Sequence, residues 1–201
     1  MSKRILLAGV VCAVAMFLWS FVAHDLLPLG QAGIGEIPHE QAVLASMDAS
    51  LGQRSGLYMF PGFGLGPDAT RQQKQAAMQD YEKKLAASPS GLLIYHPAGG
   101  SGMTPARLGT EFLTELVESL ILVFLLAQSR LTSFGSRVGF AALAGLFAAM
   151  ATNIPYWNWY GFPANYTIAY MTIEIVSFVI VGIVAGLLLK KGEGKSSAAA
   201  A

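Results

Sequence analysis

The chain has 201 residues, 54% of them hydrophobic and only 12% charged, about half the charged share of a soluble domain. Its net charge of +1 provides no basic field for nucleic acid, and a single cysteine, Cys12, excludes an intrachain disulfide and any CxxC metal or redox motif. The length accommodates one membrane bundle and one small additional domain.

The first apolar run spans Ile5 to about Ala23 and follows Lys3 and Arg4. Ala13-Val14-Ala15 imitates a signal-peptidase site, but the apolar character continues to Leu29. A signal h-region is only about 7–15 residues long, so a retained transmembrane anchor is expected. His24 and Asp25 stand at its outer end.

The stretch from Asp25 to Pro105 is too polar to cross a membrane and too patterned to be disordered. A helical stretch opens at Pro38 and runs through Met47, placing Ala42, Val43 and Met47 on one face. Ser55 to Gly62 reads as a short strand, Asp68 as the cap of an amphipathic helix from about Ala69 to Ala87, and Ser90 to Pro97 as a second strand. Gly56-Leu-Tyr-Met-Phe-Pro61 echoes Gly91-Leu-Leu-Ile-Tyr-His-Pro97, which suggests a duplicated αβ unit with both strands in one sheet. The loop Pro61-Gly-Phe-Gly-Leu-Gly-Pro67 lacks the lysine and hydroxyl residue of a phosphate-binding loop and reads as a connector. Few apolar residues are available for a core here, so the domain is expected to lean on the bundle or on a partner chain.

The second run, about Leu108 to Gln128, carries Glu111, Glu115 and Glu118 on one helical face. A core of roughly 30 Å measured back from Gln128 puts Glu118 near mid-depth. The third run, about Val138 to Ile154, repeats small residues at Ala141, Gly145 and Ala149. An uncharged segment, Asn153 to Asn165, reads as a fixed outer loop. Its Tyr156, Trp157, Trp159, Tyr160 and Phe162, with Tyr166 just beyond, suit an interfacial aromatic belt.

The fourth run, about Ile168 to Leu189, embeds Glu174 in the row Tyr170, Glu174, Phe178, Gly182, Gly186. Glycines four apart admit a neighbouring helix closely, so this row, Glu174 included, is expected to face the bundle within reach of polar groups on the second run. Lys3 and Arg4, Arg130 and Arg137, and Lys190, Lys191 and Lys195 fall on one side if both termini are cytoplasmic.

The expected fold is a membrane all-α bundle of four transmembrane helices with a small α+β extracytoplasmic domain between helices 1 and 2. Residues 1–29 form the first helix and its outer end, 30–105 the outer domain, 106–191 helices 2–4, and 192–201 a cytoplasmic tail. Glu115, Glu118 and Glu174 are the candidate intramembrane polar site, because a carboxyl in hydrocarbon is costly and marks function or helix–helix bonding. His24, Asp25, Trp157 and Trp159 are the candidate outer-interface residues. His39 and His96 add no diagnostic spacing, so no metal site, cofactor or catalytic residue is assigned.

The segment Phe17-Leu-Trp-Ser-Phe-Val-Ala-His-Asp-Leu-Leu-Pro-Leu-Gly-Gln-Ala-Gly-Ile34, followed by Gly56-Leu-Tyr-Met-Phe-Pro-Gly62, resembles small bacterial four-helix integral membrane proteins to which no activity is attached. The resemblance implies a multi-pass protein of a bacterial inner membrane and implies nothing about mechanism.

The expected function is that of a non-enzymatic accessory or scaffold subunit whose outward domain docks a partner. The alternative is a small proton- or cation-coupled transporter or channel using the intramembrane glutamates, and the third reading is a membrane enzyme acting at the outer interface. Expected partners are the lipid bilayer and a protein partner or second copy held through small-residue helix faces, with no nucleic acid.

Overall fold

A computed structural model describes residues 3–66 and 68–189, which divide into two compact units: a helical unit built from the chain up to Ile34 and from Met103 onward, and the intervening Gly35–Gly102. Lys190, Lys191, Lys195 and the expected tail 192–201 lie outside the described residues, as does Pro67 of the glycine-rich connector.

The first unit contains α1 (Lys3–Phe21), which continues into one π-helical turn (Val22–Leu26), then α4 (Pro105–Gln128), α5 (Phe134–Tyr160) and α6 (Ala164–Leu188). The second contains α2 (Glu40–Leu51), β1 (Gly56–Phe60), α3 (Arg71–Ala87) and β2 (Gly91–Tyr95).

Local chemistry sets the boundaries of the long helices. Thr104 caps α4 by accepting the Arg107 N–H, and Pro105 occupies the first turn, where its missing N–H costs nothing. Ser133 caps α5 by accepting the Ser136 N–H. At the other end of α5, Gly161 takes a left-handed conformation (φ 70°) and its N–H returns to the Tyr156 carbonyl. Glycine adopts that conformation without a Cβ penalty, so it closes the helix.

The expected loop from Asn153 to Asn165 is therefore mostly helix. α5 runs on to Tyr160 with Pro155 inside it, and only Gly161, Phe162 and Pro163 separate it from α6. A proline removes one helical hydrogen bond, and the flanking turns and packing retain the helix around it.

Adjacent helices of this unit run antiparallel. The Trp19 indole N–H donates to the Ile173 carbonyl (3.1 Å), the Cys12 thiol lies 3.7 Å from the Val181 carbonyl, and the Arg4 guanidinium donates to the Leu188 carbonyl (2.8 Å), so α1 and α6 are paired along their lengths. α1 also packs on α4: Phe17 and Phe112 meet edge to face at 5.6 Å, and Ser119 reaches the Met16 sulfur at 3.7 Å.

The α5–α6 contact is closer. A Cβ built on Gly182 would lie 2.6 Å from the Ala141 Cβ, and one on Gly145 would lie 2.7 Å from the Phe178 Cβ. The small-residue rows read from the sequence are this seam: Ala141, Gly145 and Ala149 are buried on α5, and Gly182 and Gly186 on α6.

The unit exposes much apolar surface and buries small and polar residues beside an apolar cluster of Met16, Leu122, Val123, Leu126 and Val181. α4 buries Glu115 and Ser119 while Leu113, Val117, Ile121 and Phe124 are exposed. α5 buries Arg137 and Asn153 and leaves Leu143 and Phe147 exposed at 68% and 77%. Helices in water bury their apolar stripe, and a bundle dissolved in lipid has no such need. Three helices are long and apolar enough to cross a membrane: Lys3–Leu26, Phe134–Tyr160 and Ala164–Leu188. α4 has the length but carries Glu111, Glu115 and Glu118, and it does not join them by composition.

In the Gly35–Gly102 unit, β1 and β2 form a two-stranded antiparallel sheet with Leu57 opposite Ile94 and Met59 opposite Leu92. The two echoing segments thus share one sheet. The cap of α3 is Thr70 and not Asp68: Thr70 accepts the Gln73 N–H while Gln73 accepts the Thr70 N–H (2.8 Å), a reciprocal capping box. α2 begins at Glu40, two residues later than Pro38, after His39 in a left-handed conformation (φ 55°).

Tyr81 of α3 stacks on Phe63 at 4.2 Å and places its hydroxyl 3.8 Å from the Met59 sulfur. The opposite face of the sheet, with Tyr58, Phe60 and Leu93, looks across an open groove to Val43 and Met47 of α2. Tyr95 is the sole buried residue among those described in this unit, and its hydroxyl donates to the Gly52 carbonyl (3.0 Å).

Candidate functional site

Three glutamates enter the interior of the helical unit. Glu115 and Glu174 each stand about 15 Å of helical rise from the first residue of their helices, Pro105 and Ala164. α4 and α6 are both antiparallel to α1, so the two carboxyls share a level in the bundle.

Glu174 turns toward α5 and accepts a hydrogen bond from the Asn153 amide at 2.6 Å. The same amide nitrogen also donates to the Ala149 carbonyl at 3.0 Å. The direct hydrogen-bond partner of Glu174 thus comes from the third apolar run, and the expected polar group of the second run stands nearby as well. Glu118 is half-buried and close enough to Glu174 for the two to interact electrostatically. Glu115 is 95% buried by its 5% exposure, has Glu111 and Glu118 as electrostatic neighbours, and receives a hydrogen bond from Ser20 of α1. Its Oε2 is buried without a hydrogen-bond partner.

This arrangement offers three carboxyls, one primary amide and one hydroxyl around a common level. Carboxyls at this spacing can share a proton or bind a cation. Asn153 and Ser20 were not singled out in the sequence. The signal for Asn153 was present: it continues the four-residue row Ala141, Gly145, Ala149. Reading that position as the start of a loop hid it.

The outer-interface candidates do not converge as one group. His24 lies in the π-helical turn, with its Nδ1 2.9 Å from the Ser20 carbonyl and its ring edge-on to Tyr170 at 6.0 Å. Gly30 passes over the ring so closely that a Cβ there would come within 2.5 Å of His24 Cδ2. Asp25 is exposed beside it. Trp157 and Trp159 occupy the last turns of α5, exposed at 48% and 78%.

The neighbouring aromatics do form a continuous series. Tyr156 meets Phe162 (5.3 Å), Phe162 meets Tyr166 (5.2 Å), and Tyr166 stacks on Tyr170 (4.3 Å), whose hydroxyl reaches the Gly30 carbonyl at 3.4 Å. This series pins the start of α6 to the chain leaving α1. Among the described residues no group of three or more histidine, cysteine, aspartate or glutamate side chains is arranged to hold a metal ion.

No family model, curated protein or solved structure matches this chain.

Proposed function

We propose that the chain is a four-span membrane protein with both termini cytoplasmic, acting as a non-enzymatic accessory subunit whose Gly35–Gly102 unit docks a partner protein outside the cytoplasm. The fourth span is α4. Its outward face of Leu113, Val117, Ile121 and Phe124 suits lipid, and its glutamates are turned inward or lie toward its start. The orientation rests on basic residues: Arg4, Arg130 and Arg137 gather at one end, and the opposite end carries the tryptophans. The setting that fits is a bacterial inner membrane, in line with the resemblance of the N-terminal half.

One observation carries the docking role. Among the described residues of Gly35–Gly102 only Tyr95 is buried, while Leu57 and Ile94, opposite each other on one sheet face, are exposed at 66% and 69%. A lone two-stranded sheet is marginal in water, and each of its strands has an open edge. A partner strand added at such an edge would supply the missing hydrogen bonds and cover the apolar pair.

The test compares hydrogen exchange of Gly56–Phe60 and Gly91–Tyr95 in the purified full chain and in native membranes. Protection confined to native membranes, with crosslinks from photoreactive residues at Leu57 and Ile94, is the expected result. Equal protection in the purified monomer removes the need for a partner and ends this reading. The topology is checked separately. A cysteine at Ser90 should react with an impermeant reagent in intact cells and one at Ser197 should not, with Cys12 silent because it is buried.

A second reading, proton or cation handling, is favoured by the unpartnered Glu115 Oε2. It predicts that Glu115→Gln abolishes proton or cation flux in liposomes while the protein still folds. Absence of flux from the wild-type chain would dismiss it.

A further inference from the structure

At the end of the bundle opposite the aromatic series, α4, α5 and α6 surround a cavity of about 400 Å³. Arg130, Thr132 and Arg137 supply its polar wall, and Leu126, Leu131 and Leu189 its apolar wall. We propose that this cavity binds the phosphate group of an anionic membrane lipid, with Arg137 as the anchoring residue.

The argument begins with burial. Arg137 is only 8% exposed, and arginine is almost never buried without a compensating anion. Its Nε–H donates to the Leu131 carbonyl at 3.1 Å, and it makes no ion pair among the described residues. A guanidinium carries five N–H donors, so most of its capacity is left for the cavity that it lines.

Among the described residues no acidic side chain lies on the stretches that line the cavity. The chain has no aspartate or glutamate from Ser119 to Ile173, nor from Ile175 to Leu189, and these stretches hold every residue lining the cavity. Arg130 adds a second positive charge to the same wall. The α5 N-terminus, capped by Ser133, directs its positive dipole end to this part of the bundle.

Two guanidinium groups without a carboxylate select an anion, and the planar fork favours phosphate, which it can grip through two parallel hydrogen bonds. The leucine wall then favours a lipid over a free ion, since it sets apolar surface directly beside the two arginines. Basic pockets between transmembrane helices at the cytoplasmic surface are suited to anionic headgroups on the same grounds. The site is independent of the docking role of the other unit.

The experiment uses the full chain in nanodiscs of phosphatidylcholine doped with phosphatidylglycerol. Retained lipid is counted by native mass spectrometry, and each variant is checked for folding by thermal unfolding. The wild-type chain should retain phosphatidylglycerol selectively. Arg137→Gln should weaken retention about tenfold or more, the worth of a charge-assisted hydrogen bond. Arg137→Lys should recover part of it, because the charge returns without the fork. Arg130→Gln, at an exposed position, provides a variant that folds even if Arg137→Gln does not, and it should also weaken retention.

Inorganic phosphate added in excess separates the two sources of this chemistry. Retention that survives it supports the lipid, and displacement by it overturns the lipid in favour of a soluble phosphate. Undiminished retention in the folded Arg137→Gln and Arg130→Gln variants, or equal retention of phosphatidylcholine, overturns the site.

Discussion

The helical unit and the Gly35–Gly102 unit solve opposite problems with the same set of residues. In the helical unit the interior combines alanine, glycine, cysteine and serine with Leu122, Val123, Leu126 and Val181, and holds Glu115, Arg137 and Asn153 among them, while many other leucines and phenylalanines face outward. In the other unit leucine, isoleucine and methionine also face outward, but among its described residues Tyr95 alone is buried. Exposed leucine is stable in one case because lipid is the solvent, and it is a liability in the other because water is. Close backbone approach and interhelical hydrogen bonds hold the first unit together. The second has a sheet, a capping box and a few side-chain contacts.

The largest effect that would break this contrast is at the α5–α6 seam. A Cβ on Gly182 already meets the Ala141 Cβ at 2.6 Å and the Val138 Cα at 3.2 Å, and the latter is backbone. Gly182→Leu must separate the two helices, and we expect a loss beyond about 3 kcal/mol, the upper end of ordinary overpacking. Thermal unfolding in detergent measures it. A leucine variant as stable as the wild type would show that the seam does not hold the unit.

Next in size is Tyr95→Ala. Truncating a buried aromatic costs about 3 kcal/mol, and here no other described side chain of the unit is buried to share the load. The Gly35–Gly102 unit should become fully sensitive to protease while α1, α4, α5 and α6 retain their unfolding temperature. Simultaneous loss of both units would contradict their independence.

Glu174→Leu tests the polar interior. It leaves the buried Asn153 amide with its Ala149 bond alone, and the lost partner should cost about 1–3 kcal/mol. Glu174→Gln retains an acceptor and should cost less. In the double variant Glu174→Leu with Asn153→Leu, the two losses should sum to less than their separate values, because the pair is removed together.

How much of this could be read from the sequence followed the strength of local signals. The seam was legible because small residues repeat every four positions on both helices, and the strands were legible as short apolar segments flanked by glycine and proline. The end of α5 was not. Pro155 and the aromatic cluster around it carry the marks of a loop, and packing keeps the helix intact past them to Gly161. That misplacement cost the reading Asn153, and with it the direct partner of Glu174. Arg137 entered the sequence reading only as a topology marker, because burial at a helix start depends on what two other helices place around it.

The smallest effect compares two caps of the same chemistry, Thr70 on α3 and Thr104 on α4. Each threonine hydroxyl accepts the backbone N–H three residues on, at 3.3 Å and 3.2 Å. Replacing either with alanine should cost about 1 kcal/mol locally. The consequences should differ because the two helices are held differently. α3 buries none of its residues, and Thr70 additionally donates its own N–H to the Gln73 side chain, so its first turn depends on the cap. Thr70→Ala should therefore release the start of α3 and raise amide exchange across Arg71–Lys74. α4 buries Glu115, Ser119, Leu122, Val123 and Leu126 farther along, and Pro105 presets its first turn. Thr104→Ala should fray at most that turn and leave exchange beyond Glu111 unchanged. Equal fraying in both variants would show that α3 is secured by packing after all, and it would weaken the case that the Gly35–Gly102 unit needs a partner.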